Sequence, residues 1–391
     1  MNNRNRAFVL THPFVGNYGG MLQAYALQKA ASDCSEIKIL DYGKLYHRAA
    51  DRSLLHRLRL LAEQIRVALR LVTAKTPLPE AYRRQSGKKF LSWLNKRGLV
   101  EQNLAFLTSA SDECSWVVGS DQVWRMRYVR GMLPGLGFFL DFVSSATRRR
   151  SIAYAASFGS DEWEGTPKET ADCSRLLREF KAVSVREHSG VDICRDVFGV
   201  EAVQMPDPTL LLRRQDYDEI VDSEVTWLPE NDFIATYLFN ETEERARQIA
   251  NLAAKEGLAF QRLLPRVASP KRRDRYPVTV AQWLRLIRDC KYFVTDSFHG
   301  CVFAIIYNKP FVCLGNAARG TARFTSLLSS LGLDGRLPSD LSTENIQRVL
   351  RTPVDWDIVN ERLISERTRG RSFLRDNLRC DRNTSQMDGI L

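Results

Sequence analysis

Short apolar runs alternate with segments of helical period along most of the chain. Residues 7–10, 36–42, 116–119, 150–158 and 182–185 read as buried strands, with helices over 20–31 and 173–180 between some of them. Strand and helix in alternation predict an α/β fold on a parallel sheet. A second series starts near Asp232. Residues 233–239 form a strand, Asn240 caps the next helix with Glu243 at its third position, and Thr279 caps another helix over 280–290. Strand 291–295, helix 301–307, strand 310–314 and a helix over 322–331 ending at Gly332 follow. The polar, locally acidic stretch 213–230 between the two series reads as a linker. The expected organisation is a first domain over 1–212 with a basic helical insertion about 48–97, the linker, a second domain over 231–350, and a helical tail over 351–391 that packs back toward the first domain.

The 391 residues are 44 % apolar and 26 % charged, as in a folded soluble protein with material for two cores. No apolar run approaches the ~18–20 residues that span a bilayer, and no apolar leader precedes Pro13, so a cytoplasmic protein is expected. Eight cysteines are scattered without a CxxC pair, and Cys301 and Cys313 sit inside apolar runs. That usage fits buried thiols in a reducing compartment better than a disulfide framework or a zinc site. The net charge is +11, but residues 48–97 alone hold 13 Lys/Arg against 3 Asp/Glu. The rest of the chain is nearly neutral, which argues against a protein that coats nucleic acid. Inside the basic stretch, Leu54, Leu58, Leu61, Ile65, Ala68 and Val72 share one helical face, and Arg52, Arg59, Glu63, Arg66 and Arg70 another. The helix from Arg52 to Val72 is a domain helix with a solvated basic face, or a peripheral contact with an anionic membrane or a lipid phosphate. The second alternative places the protein at the inner face of the membrane.

Four segments carry candidate chemistry. Gly16-Asn17-Tyr18-Gly19-Gly20 joins the first strand to a helix. Its glycines allow close approach of a ligand and the helix start offers N–H groups to an anion; a tight structural turn explains the same residues. GSDQVW (119–124) follows a strand, so Asp121 stands where open α/β sheets bind ligands, either orienting a sugar hydroxyl or capping the next helix. SVREHS (184–189) ends a strand with Arg186, suited to a carboxylate or phosphate, or to an ion pair with Glu187 or Asp207. TDSFHG (295–300) is the strongest: His299, one of only five histidines, stands at a helix start above a strand end, among a hydroxyl, a carboxylate and a glycine.

Taken in order, NYG (17–19) with LQAYALQ (22–28), GSDQVW, SIAYAASFG (151–159), SVREHSG (184–190), DPTLLL (207–212) and TDSFHGCVFAIIYNKPFV (295–312) resemble the polysaccharide pyruvyl transferase family over most of the chain. The least matched stretches are 44–110 and 260–278. The resemblance implies an α/β protein of two Rossmann-like domains facing a cleft, a GT-B-like arrangement. It also implies transfer of pyruvate from phosphoenolpyruvate onto a saccharide, as a cyclic ketal, in cell-surface polysaccharide biosynthesis. It makes His299 catalytic or donor-binding and links Arg186 to the donor's anionic groups. Ser297, Gly300, Asn17, Tyr18 and Gly19 complete the expected donor site. His299 is the expected acid, with Asp296 or Asp121 as base or orienting group. Ser120, Gln122, Trp124 and Arg272 are the expected acceptor contacts. No metal-ligand spacing is visible, so the reaction is expected to need no metal and no cofactor beyond phosphoenolpyruvate as donor substrate. The expected partners are phosphoenolpyruvate and a saccharide, lipid-linked or polymer-bound, and no nucleic acid. Two other classes stay open: a glycosyltransferase of the same architecture with a nucleotide-sugar donor, and a non-catalytic, membrane-recruited binding protein.

Overall fold

Two parallel sheets organise the chain in the computed structural model, which describes residues 6–14, 16–42, 80–102, 114–130, 132–133, 135–264, 278–315 and 322–378. The first sheet holds β1 (Arg6–Leu10), β2 (Glu36–Leu40), β3 (Val100–Glu101), β4 (Cys114–Val118), β5 (Ile152–Ala156), β6 (Ala182–Val185) and β7 (Val203–Gln204), in the order β3-β2-β1-β4-β5-β6-β7. The second holds β8 (Phe233–Tyr237), β9 (Ala259–Arg262), β10 (Tyr292–Thr295) and β11 (Phe311–Cys313), in the order β11-β10-β8-β9. β1 is an inner strand: Ala7 is in register with Ile37 of β2 and Ser115 of β4. All five residues of β5 and of β8 are buried, because helices cover both faces of a parallel sheet; such strands appear in sequence as continuous apolar runs. Each sheet reverses its winding direction once, between β1 and β4 and between β8 and β10. The crevice at such a reversal, beyond the carboxyl ends of the strands, is where open α/β sheets bind ligands.

Among the described residues the longer helices are α1 (Tyr18–Ala31), α2 (Glu80–Lys96), α3 (Pro167–Leu177), α4 (His188–Ile193), α5 (Arg214–Val221), α6 (Glu243–Lys255), α7 (Val280–Asp289), α8 (Phe298–Ile306), α9 (Ala322–Leu331), α10 (Thr343–Arg351) and α11 (Trp356–Leu378), besides short single-turn, 3-10 and π segments. One apolar core runs across both halves, taking in Leu22 and Tyr25 of α1, Trp283 of α7 and Phe303 of α8. Tyr18 stacks on Trp283 at 5.5 Å and its hydroxyl donates to the Val278 carbonyl at 2.7 Å. Tyr217 meets Phe303 edge-on at 4.9 Å. All nine residues of α8 are buried, which explains why its sequence is apolar all round rather than amphipathic.

Several boundaries differ from the sequence reading. The stretch 213–230 is not a plain linker: it contains α5, whose Tyr217, Ile220 and Val221 are buried at helical spacing. The cap of α6 is Thr242, accepting from the Arg245 amide at 3.1 Å, while Asn240 lies upstream and donates its amide to Asp296. Thr279 caps α7 as expected. α8 starts at Phe298 rather than 301, because Ser297 caps it, and this draws His299 into the first turn. The long α11 lies along the first half: Arg371 pairs with Asp33 at 2.6 Å and Arg367 donates to the Leu212 carbonyl at 2.9 Å. The basic helix from Arg52 to Val72 and Arg272 lie outside the described residues. Among the described residues no helix is long and apolar enough to cross a membrane.

Candidate active site

The carboxyl ends of β1, β4, β8 and β10 open onto one cleft of about 290 Å³. His12 and Asn17 line it from the loop after β1, Asp121 and Gln122 from the loop after β4, and Phe239 from the loop after β8. Asp296, Ser297, Phe298 and His299 line it from the turn after β10, and Arg323 from the start of α9. The N-termini of α1 and α8 both face it. Asn17 caps α1, its side chain accepting from the Gly20 amide at 3.1 Å. Ser297 caps α8 by accepting from the Gly300 amide at 3.3 Å. Two helix starts at one cleft, with their unpaired first-turn N–H groups, favour a bound anion.

Asp121 has φ +61°, left-handed backbone that Asp adopts more readily than most residues. Its carboxylate accepts from the Gln122 amide at 2.9 Å and from Asn17 at 3.1 Å, and lies 3.7 Å from His12 Nδ1. Burial alone pushes the Asp121 carboxyl up, but the cationic charge of His12, Arg186, His299 and Arg323 outweighs it and holds the group below its usual value. Burial pulls the His12 imidazole below its usual value against the opposing pull of Asp121.

His299 and Arg186 converge on one carboxylate, Asp207. Arg186 donates to Asp207 Oδ2 at 2.9 Å and to Glu187 Oε1 at 3.1 Å, and His299 Nε2 lies 3.5 Å from the same Asp207 oxygen. The other Asp207 oxygen accepts from the Thr209 amide and hydroxyl, at 3.0 and 2.6 Å. Burial opposes the ionised form of Asp207, yet His299, Arg186 and Thr209 hold its pKa well below the carboxylate range. Arg186 is only 4 % exposed and lies behind the cleft wall, its guanidinium 4.7 Å over the Phe298 ring. The ion-pair reading of this residue is therefore the observed one, with both carboxylates at once. The arginine that does line the cleft is Arg323; burial and the neighbouring Arg186 pull it down to about 10, still fully cationic at pH 7.

Other expected site residues divide between cleft and core. Asp296 lines the cleft, but its two oxygens accept from the amides of Phe239 (2.7 Å) and Asn240 (3.0 Å). It braces the β8 loop and is poorly placed as a proton acceptor. Gln122 lines the cleft and accepts from Arg125 at 3.2 Å. Trp124 is a correction: fully buried, stacked on Phe139 at 5.5 Å, its indole donating to the Phe138 carbonyl at 3.1 Å. Ser120 is another, its hydroxyl turned inward to the Ala155 carbonyl at 2.5 Å. Tyr18 is a wedge between the halves, not a donor contact. Gly300 is enclosed, because a Cβ there would strike the Thr295 side chain.

His12, Asp207, Arg323 and the two cleft rings Tyr128 and Phe239 escaped the sequence reading as functional groups. His12 lies two residues past the end of β1, and the strand-end rule that selected Asp121 selects it too. Asp207 figured only as a partner of Arg186. Arg323 had the weaker signal of one charge opening an apolar helix.

Gly19 explains why the glycine turn is required. A Cβ at this position would overlap His299 Cβ, Cγ and Nδ1, so the two helix starts touch only because Gly19 has no side chain. Alanine raises helix propensity by roughly 0.5–1 kcal/mol in an open helix, but here it must displace His299. Gly19→Ala is expected to lower both stability and turnover, read by thermal denaturation and by a steady-state assay of the same preparation.

Fold and site together define a class: an α/β protein of two parallel sheets, as in two Rossmann-like domains, meeting at a cleft with His, Asp and Arg side chains near the strand ends. The sequence pattern of the family described as "Polysaccharide pyruvyl transferase" matches residues 17–317, most of the chain, and the chain belongs to that family. No curated protein is detectably similar to it in sequence. Among solved structures, it is similar to the glycotransferase of kitacinnamycin (10 % identity, TM-score 0.43, 96 % of this chain and 99 % of that one). It is also similar to UDP-N-acetylglucosamine 2-epimerase from Rickettsia bellii (11 %, TM-score 0.40, 94 % and 95 %). A UDP-glucosyltransferase from Polygonum tinctorium is a third (9 %, TM-score 0.41, 96 % and 98 %). These likenesses are too weak to carry an argument about activity.

Proposed function

We propose that this polysaccharide pyruvyl transferase moves pyruvate from phosphoenolpyruvate onto two hydroxyls of a saccharide, forming a cyclic ketal in cell-surface polysaccharide biosynthesis. The observation that supports this most is the cleft floor, where Arg323, His299 and two helix starts face one space between the halves. A small dianion is matched by such a floor. In this reading the donor's phosphate and carboxylate lie against Arg323 and the first turns of α1 and α8. His299, its Nε2 3.5 Å from Asp207, delivers a proton to the donor methylene, leaving cationic character at C2. One sugar hydroxyl adds to C2 and passes its proton to the His12–Asp121 pair. The C2–O bond to phosphate then breaks as the second hydroxyl adds, and that hydroxyl's proton leaves with the phosphate. Two hydroxyl protons are thus consumed, one replacing the proton given to the methyl group and one on inorganic phosphate. Arg186 holds Asp207 and Glu187 in place rather than touching the donor.

Ligand stabilisation tests the donor. A ligand at 100 times its Kd stabilises the folded state by about 2.7 kcal/mol. Phosphoenolpyruvate is expected to raise Tm, and Arg323→Gln to abolish most of that rise. A rise with a nucleotide sugar and none with phosphoenolpyruvate contradicts the proposal.

A further inference from the structure

Among the described residues, the exposed large apolar side chains include just two aromatic rings, Tyr128 (38 %) and Phe239 (37 %). Both line the same cleft, Tyr128 from the first half and Phe239 from the second. The other exposed members of that set are aliphatic and lie outside the cleft. Each ring is fixed in place. Tyr128 carries the Arg125 guanidinium 4.7 Å from its centroid, and Arg125 is itself buried and bonded to Gln122 at 3.2 Å and Glu164 at 3.4 Å. Phe239 stands edge-on to Tyr237 at 5.0 Å, and its amide is held by Asp296 at 2.7 Å. Gln122 and Asp296, which anchor the rings, also line the cleft. Apolar rings kept in water and held rigid beside a charged floor fit a ligand with a polar reacting end and an apolar-faced ring.

We propose that Tyr128 and Phe239 form the acceptor subsite, each offering an aromatic face to the C–H face of a saccharide ring whose hydroxyls reach the polar floor. This deepens the proposed function and rests on it for the choice of a sugar. A pyranose has both surfaces required: equatorial hydroxyls at its rim and C–H groups over its face. Because the platforms come from opposite halves, a bound sugar touches both domains.

Saturation-transfer NMR on the full chain with methyl glycosides of glucose, galactose and mannose, with phosphoenolpyruvate present, tests this without requiring turnover. The expected result is saturation strongest at the C–H protons of one sugar face for at least one glycoside. Tyr128→Ala and Phe239→Ala are each expected to weaken glycoside binding about fivefold, the order of a single aromatic contact, while phosphoenolpyruvate signals persist. Tyr128→Phe should retain binding and Phe239→Leu should weaken it about as much as Phe239→Ala does, since leucine keeps bulk but not the ring face. Glycoside signals that are absent from the wild type, or unchanged in both alanine variants, overturn the subsite while leaving the donor assignment standing. Uridine monophosphate that displaces the glycoside and loses its own base signals in the variants overturns it in favour of a nucleobase. Glycoside binding that behaves as expected with no phosphoenolpyruvate signal supports the subsite and removes the donor reading instead.

Discussion

Asp207→Ala is expected to destabilise the fold by about 3–5 kcal/mol, the usual cost of removing one partner of a buried ion pair. Asp207 is 2 % exposed and holds Arg186 and Thr209 while facing His299. Its loss leaves the Arg186 charge at 4 % exposure with Glu187 as the nearest counter-charge and an unfilled space beside it. Denaturant unfolding of wild type and variant reads the difference. The sign of the pH dependence follows from the lowered pKa of Asp207. A carboxyl that is more acidic folded than unfolded stabilises the fold above its unfolded value near 4, and loses that contribution as pH falls toward the folded value. The stability gap between wild type and Asp207→Asn is therefore expected to be full at neutral pH and to narrow on acidification below about pH 4. A gap that widens with acid contradicts the ion-pair account.

His299→Gln is expected to lower kcat by roughly 10²–10⁴, the usual range for a general acid, while phosphoenolpyruvate still raises Tm. The reason is division of labour at the floor. Arg323 and the helix starts hold the anion; the imidazole moves the proton. Asp207→Asn should lower kcat as well without abolishing donor binding, because Asp207 acts through His299 by fixing the ring. A His299→Gln enzyme of normal kcat removes the imidazole from the mechanism, and one that no longer responds to phosphoenolpyruvate makes it a binding group.

The inner strands were legible because parallel sheets bury both faces, so β1, β4, β5 and β8 stand out as apolar runs bounded by glycine and polar loops, whereas the short edge strands β3, β7 and β9, less buried, were not read. The strand-end loops were legible for the same reason. Side-chain direction was not. Gly119 at φ +125° and Asp121 at φ +61° turn the chain after β4 so that Asp121 and Gln122 face the cleft while Ser120 and Trp124 face the core. No spacing in GSDQVW distinguishes these pairs. Arg186 was visible as a strand-ending cation, but its burial depends on Asp207, 21 positions away, and on Phe298 and His299 from the other half. Arg323 reaches the cleft only through the packing of α9 against α11 and the Phe298 ring, 5.7 Å from its guanidinium. Asn240 was misplaced as a cap because its amide is taken by Asp296, a long-range bond that local pattern does not contain.

The most direct test of the central claim, that one cleft joins an anionic donor to a sugar through His299, is mass spectrometry of saccharides incubated with the full chain and phosphoenolpyruvate in D₂O. The account predicts an acceptor heavier by one pyruvate less one water, carrying deuterium in the new methyl group, with one phosphate released per product and almost none from His299→Gln. A glycosyl product from a nucleotide sugar, or a pyruvylated product formed equally well by His299→Gln, contradicts it.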